Sequence, residues 1–370
     1  MQVKQYPFFI KSTVVLFGLI LLTYALINLR DILVPIAFAT IIAILLNPLV
    51  NRIRKAGIKH ALAIGIAMLL TIIVFSALLY FLSSQIAGFG DNLPLLKSKF
   101  SGILHDLQQW VQGKFGIALT KQMQLVNDAL NSSKGMLGQT VGTALGTLAV
   151  VFLLPVYVFL LLFYKTLILN FLYEVFAEEN SKQVGEILGQ TKMAIQSYMV
   201  GLLLEALIVA TLNSTALLIL GVDYAILLGV IGAILNMIPY LGGIIAIALP
   251  VLMATVTKDG YSTQLGIIIA YAIIQFIDNN ILVPRIVSSK VQINALVSIL
   301  VVLLGGALWG VAGMFLSIPA IAILKIVFDR VEDLKPWGKL LGDEVPTRHR
   351  GEFKWPRMKK PSVAEKIVEH

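Results

Sequence analysis

The chain has no cysteine. Disulfides, thiolate catalysis and Cys-based metal sites are therefore excluded. Charge is scarce too: Asp, Glu, Lys and Arg make up 13% of 370 residues, against about 25% in ordinary soluble domains. Recognisable catalytic patterns are missing. No G-x-x-x-x-G-K-[ST] loop occurs, so there is no ATP-driven motor of that kind. G-x-S-x-G, H-E-x-x-H and kinase-like sets are also absent. The four histidines (His60, His105, His349, His370) are scattered, without partners at ligand spacing. No enzymatic activity, metal or cofactor is expected.

What the chain does have is apolar length. Hydrophobic residues reach 58% and mean hydropathy is +0.88. A soluble chain of this size would need an implausibly large dry core, so an all-α polytopic membrane protein is expected, with the lipid bilayer as its solvent. The net charge of +9 is not a nucleic-acid signature. Much of it sits in one short loop (Arg52, Arg54, Lys55, Lys59) and in the tail after Lys325. Those are positions of cytoplasmic positive charge beside membrane helices.

Residues 1–83 read as N-terminal spans, at about Pro7–Leu29, Ile32–Val50 and Ala61–Leu82. The first is not read as a signal peptide, because no small-residue cleavage pattern follows and a second apolar run begins after Arg30-Asp31. Residues 84–140 read as an extracytoplasmic amphipathic segment. Leu96, Phe100, Ile103, Leu104, Leu107 and Val111 share one helix face, and Asp91 before Pro94 is a start signal. Residues 141–328 read as the transport core. Its first span, Val141–Phe163, is entered by Gly138, Gly142 and Gly146 at packing spacing. A cytoplasmic amphipathic insert occupies 165–197, and spans follow at about Tyr198–Leu220 and Leu265–Val283. Residues 329–370 read as a cytoplasmic tail.

The stretch Ala225–Ala254 is apolar almost throughout, yet Asn236–Gly243 interrupts it. As one helix it would be about 45 Å long, against a hydrocarbon core of about 30 Å. Pro239 removes a backbone donor, and Gly242 and Gly243 permit non-helical geometry. A helix broken at membrane depth must be buried or line a watery cavity, and such breaks often mark transporter sites. If this stretch enters and returns, Arg285 and Lys290 stay in the cytoplasm, as the charge rule prefers. Val291–Phe328, interrupted by Gly305-Gly306 and Pro319, then enters and returns as well. Re-entrant and full two-crossing hairpins share this parity.

Ionisable residues inside membrane segments are costly and usually functional. Two stand out: Glu205, and Asp278 beside Asn279 and Asn280. Either can act as a proton or cation relay or as a polar ligand. The plainer readings are a hydrogen-bonded packing contact for Glu205 and a boundary residue, or a partner of Arg285, for Asp278. Asn213-Ser214-Thr215 and Asn236 suit interhelical hydrogen bonds, although Asn236 adjoins the Pro239 break. Tyr240 suits solute stacking or simple gap filling.

LLGVIGAILNMIPYLGG, the later NNILVPRIVSSKVQINALVSILVVLLGGALWGVAGMFLSIPAIAILK and the early PIAFATIIAILLNPLVNRI resemble the autoinducer-2 exporter family of permeases. The resemblance covers nearly the whole chain to about residue 340. It rests on Pro-Tyr-x-Gly at Pro239–Gly242 combined with N-x-L-x-P-[KR]-I at Asn280–Ile286. It implies a multi-pass bacterial inner-membrane protein of about eight helical membrane segments, some discontinuous or re-entrant, with both termini cytoplasmic. Homo-oligomeric assembly and elevator-like movement are further implications. Members are associated with export of autoinducer-2, others with sodium/proton antiport. Two features depart from the pattern: Ser288-Ser289 stands where glycine is expected, and Glu205 falls in no family motif.

The expected function is secondary transport of a small polar solute or signal. The pathway is expected at Asn236, Pro239, Tyr240, Gly242, Gly243, Asp278, Asn279, Asn280 and Arg285, with Asp278 or Glu205 as coupling carboxylate. Sodium(lithium)/proton antiport is the alternative within transport. A non-transporting membrane scaffold is the alternative from another class.

Overall fold

A computed structural model describes residues 7–91, 93–116, 118, 120–124, 152–176, 181–238, 242–258, 260–287 and 293–343. Among them there are helices and connecting turns but no strands. The helices used below are α1 (Phe8–Asn28), α2 (Arg30–Lys55), α3 (His60–Asp91), α4 (Leu93–Phe115), α5 (Phe152–Phe163), α6 (Lys165–Val175), α7 (Ser181–Ile219), α8 (Ala225–Asn236), α9 (Gly242–Thr257), α10 (Ser262–Ile277), α11 (Ala295–Phe328) and α12 (Lys335–Leu341). A π-helical segment, Asp278–Val287, continues α10.

Among the described residues six runs are long and apolar enough to cross a membrane: α1, α2, α3, α7, α10 with its π extension, and α11. A seventh forms if α5 and α6, bent by 63°, make one broken span. The outward faces of α1 and α3 are strongly apolar, with Phe8, Val14, Ile20, Val74 and Tyr80 all exposed. Such continuous apolar surface on a folded chain fits lipid rather than water.

Lipid tails are as apolar as leucine, so close packing rather than hydrophobicity holds such helices together. α2 and α3 meet on small residues at four-residue steps, Ala39 and Ala43 against Ala63 and Ala67. Val158 and Leu162 of α5 close that cluster. A second cluster joins α2, α7 and α11 through Ile41, Tyr198, Leu202 and Leu316. A third joins α7, α8, α9 and α10 through Leu217, Leu228, Ala246 and Ile267. On the face bearing the basic loop, Lys165 Nζ donates to the buried Asn47 Oδ1 at 3.1 Å, and Arg54 and Lys192 are its charged neighbours.

Four sequence expectations change here. The boundary read between the amphipathic segment 165–197 and the span from Tyr198 is not a helix end, because α7 runs unbroken from Ser181 to Ile219. Asp91 does not start the next helix; it ends α3, and α4 begins at Leu93. Pro319 lies inside α11, which continues to Phe328. Gly305-Gly306 does not interrupt the chain either; the turn falls at Trp309-Gly310. Gly138, Gly142, Gly146, Ser288-Ser289, Lys290 and residues 344–370 lie outside the described residues.

Two segments fold back on themselves. α8 and α9 form one hairpin: a methyl added at Gly242 would collide with the Leu235 carbonyl, and one at Gly232 would lie 3.4 Å from Ala246 Cβ. α11 is the second, since Trp309 (φ −131°) and Gly310 (φ 61°) leave helical geometry. Its arms touch where a methyl on Gly305 would overlap the Gly313 carbonyl. Residues eight apart in a straight helix would be about 12 Å apart, so the chain has turned round. Asn294 ties the hairpin's base, donating from Nδ2 to the Leu340 carbonyl (2.7 Å) and the Gly342 carbonyl (3.0 Å) of the returning chain. At about 1.5 Å per residue the four arms span roughly 18, 24, 21 and 27 Å. Each falls short of the ~30 Å core.

Candidate functional site

α7 and α10 run antiparallel, and their facing stripes set the site. On α7 one buried stripe is Tyr198, Leu202, Glu205, Val209, Asn213 and Leu217, stepping by three or four as one helix face requires. On α10 they are Gln264, Ile267, Tyr271 and Ile274, leading to Asp278. The register is fixed at both ends. Leu220 packs over Gly266, and Gly201 lets the Ile286 carbonyl come within 2.5 Å of where its Cβ would be. Between those ends Glu205 and Asp278 face each other.

Glu205 is 6% exposed and Asp278 2%. Their carboxyl groups are within side-chain contact of one another. Asp278 Oδ2 accepts from Asn236 Nδ2 at 2.8 Å and from Gln275 Nε2 at 3.4 Å. Asp278 Oδ1 is buried with no hydrogen-bond partner among the described residues. Asn236 is the last residue of α8, so the break in the first hairpin brings its amide to the carboxylate. Across from it, a methyl on Gly243 would sit 2.9 Å from Gln275 Oε1 and 3.7 Å from Asn236 Oδ1. The π-helical turn begins at Asp278 itself. Such widened turns often occur at functional sites, and Pro284 within this one withdraws a backbone donor.

Two buried carboxyl groups in contact repel when both are ionised. A proton or a small cation shared between them cancels one of the two charges and relieves that repulsion. A cavity of about 480 Å³ opens toward the Ser181 end of α7, with Gln196, Ser197, Gly201, Leu204 and Ile286 in its lining and neither carboxylate among the residues that line it.

The structure thus brings together Asn236, Gly243, Asp278 and Glu205, with Gly242 at the hairpin turn. Asn279, Asn280 and Arg285 are exposed. Asn280 Nδ2 donates to its own helix at the Phe276 carbonyl (2.8 Å), and Asn279 Oδ1 accepts from Gln275 Nε2 (3.2 Å). Pro239 and Tyr240 lie outside the described residues. Sequence reasoning treated Glu205 and Asp278 as rivals; in the fold they are neighbours. It passed over Tyr271 and Gln264 altogether. Their signal was present, since 264, 271 and 278 recur at seven-residue steps, one helix face.

Comparison with known proteins now bears on this geometry. AI-2 transport protein TqsA of Escherichia coli (strain K12) is 27% identical over 316 residues, covering 85% of this chain and 90% of that one. YueF of Bacillus subtilis (strain 168) is 27% identical over 315 residues, 80% of this chain and 82% of that one. YrrI of the same organism is 25% identical over 314 residues, 81% and 86% respectively. The family model described as AI-2E family transporter matches residues 14–333, which takes in both hairpins and the carboxyl pair. The chain belongs to the AI-2E family of membrane transporters.

Proposed function

We propose that this transporter is a secondary carrier of the bacterial inner membrane that moves a small polar solute. Autoinducer-2 is the first solute to test, because TqsA bears that name. The one observation that carries the reading is the Glu205–Asp278 pair, buried beside the end of the first hairpin. In this reading Asn236, Gly243 and Gln275 form the polar rim that meets the solute. The pair holds the coupling proton or cation, and the 480 Å³ cavity is the cytoplasmic vestibule. Both hairpins are re-entrant, the first from outside and the second from the cytoplasm, and both termini are cytoplasmic. The absence of a phosphate-binding loop from the sequence fits a gradient-driven rather than an ATP-driven carrier. Sodium/proton antiport is the second reading, favoured by the unpartnered Asp278 Oδ1.

Proteoliposome flux separates these readings. Autoinducer-2, sodium and protons are followed with and without imposed gradients. Solute flux driven by a gradient supports the first reading. Sodium-for-proton exchange without solute supports the second. No flux of any kind overturns both and leaves a scaffold. Single cysteines at Lys59 and Lys114, clean because the chain has none, test topology: an impermeant reagent applied outside is expected to label only position 114.

A further inference from the structure

Among the described residues seven buried side-chain atoms lack a hydrogen-bond partner. Four of them lie along the α7–α10 seam: Gln264 Oε1, Tyr271 OH, Asn213 Oδ1 and Asp278 Oδ1. Each orphaned group carries an uncompensated desolvation cost, and buried polar groups are normally satisfied by protein or by ordered water. Four along one seam form a pattern rather than a set of isolated defects.

The spacing gives it direction. Gln264, Tyr271 and Asp278 share one face of α10 at seven-residue steps, about 10.5 Å of rise each. That distance is too long for direct hydrogen bonds and suits bridging water. Asn213 reaches in from α7 between Tyr271 and the carboxyl pair. A single point, the methyl position of Gly232, lies 3.4 Å from Asn213 Nδ2 and 3.7 Å from Tyr271 OH. Gln264 stands three residues after the exposed Tyr261, at the α10 end that meets water.

We propose that Gln264, Tyr271 and Asn213 line a single file of water that carries protons between the 258–263 loop and the Glu205–Asp278 pair. The amides of Gln264 and Asn213 orient the waters. The Tyr271 hydroxyl both donates and accepts, so it relays a proton without net change. For every proton delivered to a carboxylate, one enters from bulk water at the Gln264 end; release runs the same chain in reverse. The walls between the polar groups are Ile267 and Ile274, both buried. They supply none of the oxygens that would replace a metal cation's hydration shell, so the file selects protons. The role of the pair as the destination rests on the transport reading above; the wet seam does not.

Two measurements test the file. Single cysteines replace Gln264, Tyr271, Asn213 and, as controls in the α2–α3 cluster away from this seam, Ala39 and Ile64, each 0% exposed. A small cationic methanethiosulfonate is the probe. The three file positions are expected to react at least about tenfold faster than the controls, because the reactive thiolate forms only where water reaches it. Equal rates overturn the proposal. The second measurement uses the parent protein, so truncation cannot create the access. Radiolytic hydroxyl-radical footprinting in nanodiscs is expected to oxidise Tyr271 while Met253, also 4% exposed and in the same cluster, stays intact. An unmodified Tyr271 overturns the file. Neither readout depends on solute flux, so a failed flux assay counts against the transport reading and a dry seam against this one.

Discussion

The two hairpins are alike in geometry and opposite in chemistry. Both turn back over a short tip, both keep arms shorter than the hydrocarbon core, and both press backbone against backbone at a glycine. The first delivers an amide: Asn236 ends α8 and meets Asp278. The second delivers an indole: Trp309 Nε1 donates to the Leu26 carbonyl at 2.9 Å, and Phe38 stacks on Phe315 nearby at 5.7 Å. Its buried Ser317 bonds to its own helix, at the Met314 carbonyl. A folded-back shape is therefore not itself a site. In the transport reading proposed above, the polar partner on α10 makes the first hairpin chemical, and the second acts as a strut against α1 and α2.

The sharpest way to break this contrast is to remove the partner. Asp278→Asn keeps size but loses the charge, and gradient-driven flux in proteoliposomes is expected to fall to background. Glu205→Gln removes the other member of the pair, and its flux is expected to fall less while its pH dependence changes. If Asp278→Asn keeps the parent's rate and pH profile, the first hairpin is as inert as the second. Next comes the amide. Asn236→Leu removes the 2.8 Å donor to Asp278 Oδ2 and leaves the longer 3.4 Å contact to Gln275. Losing a donor to a buried charge costs about 1–3 kcal/mol, or roughly five- to a hundred-and-fifty-fold in rate if felt in full at the barrier. Flux per folded molecule measures it.

The contrast was only half legible in the sequence. The first hairpin was readable because Pro239 and the glycine pair sit in mid-run, where neither suits a helix. The second was read as a return, but its turn was placed at the wrong feature. Gly305 is a point of close approach; Gly310 takes the positive φ. Both are glycines for different reasons, and composition does not distinguish them. The length of α7 was missed because charges end near Lys192, which looks like a boundary. Nothing between Ser181 and Ile219 breaks a helix, so the helix continues. The Glu205–Asp278 contact depends on the register of α7 against α10, set by Gly201 and Gly266, and no single-segment pattern encodes that.

An equal steric insult to each hairpin sharpens the difference. Gly242→Ile drives a side chain into the Leu235 carbonyl, and Gly305→Ile into that of Gly313. Overpacking costs about 1–3 kcal/mol, occasionally more, and backbone neighbours yield less than side chains. Both variants are expected to lower the thermal midpoint by several degrees. Only Gly242→Ile is expected to abolish flux per folded molecule, because the added side chain also presses on Asn236, whose Cα lies 2.7 Å from the new Cβ. Equal loss of flux in the two would make the second hairpin part of the transport machinery rather than a strut.

The smallest effect tests the strut directly. α1 ends at Asn28, and the last four carbonyls of a helix have no partner within it. Leu26 holds one of them, and the Trp309 indole caps it from the far end of the chain. Trp309→Phe keeps most of the aromatic volume in the cluster with Phe315 and Ile41 and removes only the donor. A net hydrogen bond is worth about 0.5–1.5 kcal/mol, so a thermal midpoint lower by a few degrees is expected. Flux and its pH dependence should match the parent, since no group of the carboxyl site is touched. The released α1 should show itself in faster cross-linking or proteolysis near Asn28. A Trp309→Phe protein with unchanged stability would mean that the capped carbonyl finds another donor. One with an altered pH profile would tie the second tip to the site on α10, and the division between chemical hairpin and strut would fall.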